Sequence, residues 1–154
     1  MSNGFVQRGG LWVLAQSVLL VAVTLCGVLG RGQWMILPTT LCGALLLLVA
    51  ACCGIAGAIT LGRNATPFPR PSAGSRLVQN GIYGLMRHPL YTAMFCGSVG
   101  WALVWQSWPA LLVALILAPF FDAKVRREER WLREQFSGYA DYEHRVRRFI
   151  PWIY

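Results

Sequence analysis

Two long runs without a single charge constrain what this chain can fold into. Residues 11–30 are interrupted in polarity only by Gln16, Ser17 and Thr24, and residues 38–61 only by threonines. Each run has the roughly 20 residues that cross a bilayer core as a helix. Hydrocarbon offers no partner to backbone polar groups, so such a run crosses with its hydrogen bonds closed internally. The first run is longer than a signal-peptide core and lacks a clear small-x-small cleavage site, so it is predicted as a retained helix. The second is rich in small residues (Gly43, Ala44, Ala50, Ala51, Gly54, Ala56, Gly57, Ala58) that allow close helix contact.

Composition agrees with this reading. Of 154 residues, 56% are hydrophobic and 13% charged, and the mean hydropathy is +0.49. That is too apolar for an ordinary soluble domain. Two further apolar stretches, 89–105 and 108–121, are joined by Gln106-Ser107. Each is short for a span, and together they predict a tight helical hairpin. Trp101, Trp105 and Trp108 fall near its tip, and Pro109 starts the return helix. The predicted fold is all-α and integral to a membrane. It has about four transmembrane helices, the last two a hairpin, then a cytoplasmic C-terminal helix and tail. One domain is expected over 1–154, with the first two spans in 1–61 and a polar, site-bearing region in 62–154.

The formal net charge is +8, and its distribution is uneven. All six acids follow Phe121, and before it the only charges are Arg8, Arg31, Arg63, Arg70, Arg76 and Arg87. Four spans put the N-terminus, the connector 62–88 and the tail on one side. That side then holds every lysine and arginine except Arg31, and the positive-inside rule makes it cytoplasmic. The short chain without organelle signals points to a bacterial inner membrane, with both termini cytoplasmic. Because the cations flank apolar spans, no nucleic-acid partner is expected. The five cysteines lie in apolar runs without metal-type spacing. They are predicted to be buried, inert thiols, and no metal site is expected.

The connector 62–88 carries four arginines and no acid. Thr66-Pro67-Phe68-Pro69-Arg70-Pro71 is predicted to be stiff and extended, and residues 72–75 to turn. The connector ends in Gly81-Ile82-Tyr83-Gly84-Leu85-Met86-Arg87-His88-Pro89-Leu90-Tyr91. Pro89 suits the first turn of a helix, where its missing N–H would be unpaired anyway. His88 before it is pushed towards an extended conformation. Arg87 and His88 thus sit at a helix mouth that favours an anion. The plainer alternative has both facing water or lipid headgroups.

Residues 122–136 are predicted to extend the last helix beyond the membrane. Val125, Leu132 and Phe136 form an apolar stripe on one face. Glu128 and Glu129 interrupt it, so at least one of these carboxylates points at whatever the stripe meets. Lys124 lies one turn before Glu128. Against this stands a solvated face, with Glu129 and Arg133 as an i, i+4 pair. The tail, 138–154, alternates aromatic and basic residues and suits an interface with anionic headgroups. The hairpin returns Arg87-His88 to Lys124-Glu128-Glu129. Such a set could hold a zwitterionic ligand, and ionisable groups at a membrane are functional by default.

These pieces carry a resemblance. Leu77-Val78-x-x-Gly81-x-Tyr83, Arg87-His88-Pro89-x-Tyr91, Lys124-x-x-x-Glu128-Glu129-x-x-Leu132, Phe136-x-x-Tyr139-x-x-Tyr142 and Val146-x-Arg148-x-x-Pro151 occur in that order. In this the chain resembles the isoprenylcysteine carboxyl methyltransferase family, within the membrane methyltransferases that include phospholipid N-methyltransferases. Leu61-Gly62-Arg63-Asn64 and Thr66-Pro67 resemble bacterial members. The likeness covers residues 60–151, and the first two helices match in kind alone. Ser137-Gly138 departs from the family's usual Phe-Gly juncture.

The resemblance implies an S-adenosylmethionine pocket at the cytoplasmic membrane face. It implies cofactor contacts at Ser75, Arg76, Leu77, Val78, Tyr83, His88, Pro89, Leu90, Tyr91 and Glu128. Lys124 stands where the family has a basic residue facing the methyl acceptor, and Arg87 and Glu129 would support the catalytic site. No metal is implied. The acceptor would be a lipophilic carboxylate, such as a prenylated cysteine or an analogue, reached from the lipid. Methylation of a phospholipid amine is the nearest alternative, and a non-catalytic scaffold or small transporter is a third. Small multidrug transporters need an acid within their spans, and residues 1–121 have none.

Overall fold

The computed structural model describes residues 2–34, 36–66, 68–71 and 74–154. Among these residues six α-helices follow one another: α1 (Ser2–Gln7), α2 (Gly10–Leu29), α3 (Leu37–Leu61), α4 (Pro89–Val104), α5 (Trp108–Gln135) and α6 (Tyr139–Arg145). Short 3-10 turns occupy Gly62–Asn64 and Gly81–Gly84. α1 is a short helix ahead of the first apolar run. Gly9 separates it from α2 with φ +84, and a Cβ there would meet the Pro69 ring at 2.5 Å. The close approach and the left-handed backbone both require glycine.

Among the described residues, three helices are long and apolar enough to cross a membrane: α2, α3 with its 3-10 continuation to Asn64, and α5. Their outer faces are greasy. Leu11, Leu14, Val18, Val21 and Leu25 are exposed along α2, and Leu41, Leu45, Leu48, Ile55 and Ile59 along α3. Stripes this large on a free surface mark contact with lipid or protein. Cys42 and Cys52 are exposed too, contrary to the expectation of buried thiols, while Cys53 is buried. Consecutive cysteines on a helix point about 100° apart, so Cys52 and Cys53 cannot share an environment.

The fourth expected span is shorter. α4 has 16 residues, about 24 Å of helix against a hydrocarbon core of about 30 Å. It packs along α3 through small residues. A Cβ on Gly43 would meet the Gly100 carbonyl oxygen at 2.8 Å, and one on Gly100 would meet that of Gly43 at 2.8 Å. Lower down, Gly57 makes room for Pro89 and Leu90. These contacts set the height at which α4 begins, and so where His88 stands.

The hairpin of α4 and α5 is present. Gln106 turns it with φ 54. Ser107 caps α5 by accepting from the Ala110 N–H at 3.3 Å and donates to the Cys26 carbonyl at 2.7 Å. Trp101 and Trp105 pack together at 5.4 Å, but Trp108 turns to Trp34 at 4.6 Å. α5 runs on past Phe121, as expected, with Pro119 inside it. Val23, Ala114, Leu117 and Phe121 form the core between α2 and the hairpin.

Candidate functional site

The connector folds over the ends of the helices. Pro69 is fully buried and sits against Gly9 beside Trp131. Phe68 meets Phe5 edge-on at 5.8 Å and lies under Arg8 at 4.4 Å. Residues 68–70 therefore bend, instead of running straight as the prolines suggested. Pro67 of that stretch, and Ser72 and Ala73 of the expected turn, lie outside the described residues. Further on, the Arg76 N–H donates to Asn64 Oδ1 at 3.3 Å, and Gln135 Nε2 donates to Ser75 Oγ at 3.1 Å. These bonds lay residues 75–78 between the end of α3 and the end of α5.

The tail clamps the opposite side. Met86 and Arg147 form a parallel bridge. The Arg87 N–H donates to the Arg147 carbonyl at 2.8 Å and the His88 N–H to that of Arg148 at 3.0 Å. Thr92 Oγ1 donates to the Phe149 carbonyl at 3.1 Å. The Arg87 guanidinium donates to the carbonyls of Glu143 (2.7 Å) and Val146 (2.6 Å).

Glu129, wholly buried, lies at the centre of this clamp. Its Oε1 accepts from Arg87 Nη2 at 2.6 Å and Nε at 3.1 Å. His88 Nε2 is 3.3 Å from the same oxygen. Oε2 accepts from Arg148 Nη2 at 2.7 Å and Nε at 3.0 Å. A buried carboxylate survives only with such compensation. Arg87 and His88 are buried as well, so neither faces water or headgroups. Arg133 approaches Glu129 only to 3.9 Å and pairs with Glu143 at 2.7 Å. The solvated i, i+4 face is thus replaced by a buried network.

Between connector and clamp lies a cavity of about 250 Å³, just under the ~300–1,000 Å³ common for small-molecule sites. Glu128 lines it, and its Oε2 accepts from the Tyr91 hydroxyl at 2.7 Å. Lys124, buried and also lining it, donates from Nζ to Gln16 Oε1 at 2.5 Å. Gln16 Nε2 in turn reaches Met94 Sδ at 3.2 Å. Leu61, Leu77, Val78, Leu90, Leu132 and Phe136 give apolar walls. Among the described residues, one buried side-chain polar atom has no partner, the Tyr139 hydroxyl, and Tyr139 lines this cavity. A buried hydroxyl left unpaired costs about 1–3 kcal/mol unless something in the cavity accepts from it or donates to it.

Three tyrosines beside the cavity titrate abnormally. Burial, helped by the Glu128 carboxylate, pushes the Tyr83 hydroxyl up to about 12. Burial also raises Tyr139, with Glu129 adding to it and Arg87 opposing. Tyr142 is raised by burial while its hydroxyl donates to the Tyr83 carbonyl at 2.6 Å. All three stay neutral donors across the physiological range.

Of the residues the resemblance implicates, Ser75, Arg76, Leu77, Val78, Tyr83, Arg87, His88, Leu90, Tyr91, Lys124 and Glu128 line the cavity. Pro89 and Glu129 are not among its lining: Pro89 packs towards Gly57, and Glu129 belongs to the clamp. Gln16, Asn64, Met94 and the free Tyr139 hydroxyl went unassigned in the sequence. Gln16 left a signal, since it is the one amide in an apolar span, and polar residues at such depth are functional by default. Such a lining can hold a small molecule that combines a flat apolar part with charged and hydroxyl groups.

Comparisons with known proteins fit this arrangement. Residues 38–138 match the family described as phospholipid methyltransferase. The chain is 33% identical over 147 residues to the nickel-cobalt-cadmium resistance protein NccN of Alcaligenes xylosoxydans xylosoxydans, covering 94% of this chain and 65% of that protein. It is 37% identical over 76 residues to the cobalt-zinc-cadmium resistance protein CzcN of Cupriavidus metallidurans, covering 49% of this chain and 35% of that one. It is 35% identical over 79 residues to protein-S-isoprenylcysteine O-methyltransferase of Saccharomyces cerevisiae, covering 50% of this chain and 33% of that enzyme. The chain thus spans less than two thirds of the length of each of these relatives. The match over 38–138 takes in α3, the connector, the α4–α5 hairpin and most of the cavity lining, and it establishes that the chain belongs to the phospholipid methyltransferase family.

Proposed function

We propose that this protein is an integral-membrane methyltransferase that uses S-adenosylmethionine and methylates a lipophilic acceptor, the carboxylate of a prenylated cysteine or an analogue. The observation that carries the reading is the unpartnered Tyr139 hydroxyl in a cavity that also holds Glu128. The donor set suits S-adenosylmethionine. Glu128 would take its ammonium or ribose hydroxyls, Tyr139 and Tyr83 would hydrogen-bond its polar groups, and Leu77, Val78 and Phe136 would cover the adenine. When bound, the cofactor supplies an electrophilic methyl group on a sulfonium.

The chain's own residues align and dry the site. Tyr91 fixes the Glu128 carboxylate at 2.7 Å. Gln16 holds the Lys124 ammonium inside the cavity, where it can draw in a carboxylate. Apolar walls exclude water, which favours a displacement in which opposite charges vanish, and alignment supplies much of the rate. A carboxylate acceptor needs no general base. The exposed flanks of α2 and α3 let a lipophilic acceptor arrive from the bilayer, and the active site with both termini would face the cytoplasm.

A phospholipid amine is the second acceptor to test, because the family description names phospholipids. Two relatives are named for metal resistance, which states a phenotype and does not choose between acceptors. The test is transfer of labelled methyl from S-adenosylmethionine by the purified protein, offered a farnesylcysteine analogue or phosphatidylethanolamine. Label in the farnesylcysteine ester supports the proposal. Label only in the amine moves the acceptor to phospholipid, and label in neither removes the activity.

A further inference from the structure

The tail carries a second hollow, of about 280 Å³, that shares only Arg87 with the first cavity. Arg133, Glu143, His144, Arg147 and Arg148 line it together with Arg87. Its cations are not equivalent. Arg87 and Arg148 are tied to Glu129, and Arg133 to Glu143. Arg148 also reaches Asp122 at 3.5 Å. Asp122 is held more closely by Arg126, at 2.7 Å, so the guanidiniums outnumber the carboxylates they meet. Arg147 is the lining guanidinium left without a carboxylate: among the described residues, neither its side chain nor that of His144 forms an ion pair or a hydrogen bond. The free guanidinium is nonetheless anchored, because the Arg147 carbonyl is held by the Arg87 N–H at 2.8 Å.

Beside the hollow the chain makes a tight turn. The N–H groups of Phe149 and Ile150 both donate to the Tyr154 carbonyl at 2.7 Å, and the Tyr154 hydroxyl donates to Asp122 at 2.9 Å. Trp152 has φ 62. The left-handed conformation is costly for a non-glycine residue, yet here it leaves Trp152 85% and Ile153 76% exposed. A fastened turn that holds an indole out beside a free arginine has both parts of a lipid-binding surface. One part is a cationic seat for phosphate, and the other is an apolar edge for acyl chains.

We propose that this hollow binds the phosphate of an anionic phospholipid, with Arg147 and His144 as its anchors and Ile150, Trp152 and Ile153 against the acyl chains. The free Arg147 guanidinium suits the singly charged phosphodiester of a lipid headgroup. A free anion would leave the apolar turn without a role. The proposal stands apart from methyl transfer, because it concerns a separate hollow and is read by lipid retention.

The experiment is native mass spectrometry of the full chain in neutral detergent, titrated with phosphatidylglycerol or with phosphatidylcholine of the same acyl chains. One phosphatidylglycerol should be retained, about tenfold in preference to phosphatidylcholine, whose choline cation is repelled by the arginine-lined hollow although its phosphate is the same. Arg147→Gln should reduce its retention by about tenfold, and Trp152→Ser should weaken it as well. Both side chains are exposed, so these variants fold. Equal retention of the two lipids, or unchanged retention by Arg147→Gln, would overturn the proposal. Displacement of the lipid by equimolar inorganic phosphate would make the hollow a free-anion site and overturn the lipid assignment.

Discussion

Glu128 and Glu129 are neighbours in α5 that serve different structures. Glu128 accepts from Tyr91 at 2.7 Å beside the cavity, whereas Glu129 binds Arg87 at 2.6 Å and Arg148 at 2.7 Å in the clamp. Successive helical residues point about 100° apart, so one turn of helix supplies both. The two carboxylates should therefore fail in different ways.

Removing the Glu129 charge should unfold more than it inactivates. Glu129→Gln leaves Arg87 and Arg148 without their counter-ion, and breaking a buried pair costs about 3–5 kcal/mol. Thermal unfolding in detergent, followed by circular dichroism, should show a midpoint lower by about 10 °C. Arg133→Gln, at an exposed position, should move it by less than about 2 °C. Equal shifts for the two variants would contradict the clamp.

The crossing of α3 and α4 should be intolerant of a single methyl group. Gly43→Ala and Gly100→Ala each place a Cβ 2.8 Å from the facing carbonyl oxygen. The backbones must separate, at a cost of about 1–3 kcal/mol. Gly138→Ala meets nothing within 4 Å and is the control. Thermal midpoints of the three variants check this.

Tyr139→Phe should have effects of opposite sign on stability and binding. It removes an unpaired buried hydroxyl, so the ligand-free protein should gain about 1 kcal/mol. It also removes a donor from the cavity, so S-adenosylmethionine should bind about 3- to 10-fold more weakly. A variant that loses stability without losing affinity would show that the hydroxyl serves the fold.

Alkali should destabilise the connector side of the cavity. Tyr83 is raised from 10 to about 12 by burial. Its contribution is complete below pH 10, where both folded and unfolded forms are protonated, and is lost as pH rises through about 12. Stability should fall between those values, and Tyr83→Phe should flatten the fall. An equal slope in the variant would contradict the assignment.

The membrane helices were legible because uncharged runs of this length leave the chain few alternatives, and the hairpin because Gln106-Ser107 is too short to do anything else. The approach of Arg87-His88 to Glu129 followed from that hairpin. What could not be read is how each side chain points. Tail residues Arg147 and Arg148 dock through their backbone carbonyls, which no side-chain pattern announces. Pro69 bends where a proline run suggests a straight segment, because burying its ring against Gly9 is a tertiary contact. Gln16 joins Lys124 across 108 positions of sequence, and only packing brings them together.

The most direct test of the cavity's role is calorimetric titration of S-adenosylmethionine into the purified protein and into Glu128→Gln. The wild type should bind one equivalent saturably, and the variant should bind about 10- to 100-fold more weakly with its thermal midpoint retained. A folded wild type that takes up no S-adenosylmethionine, or a variant that binds it equally well, would contradict the account.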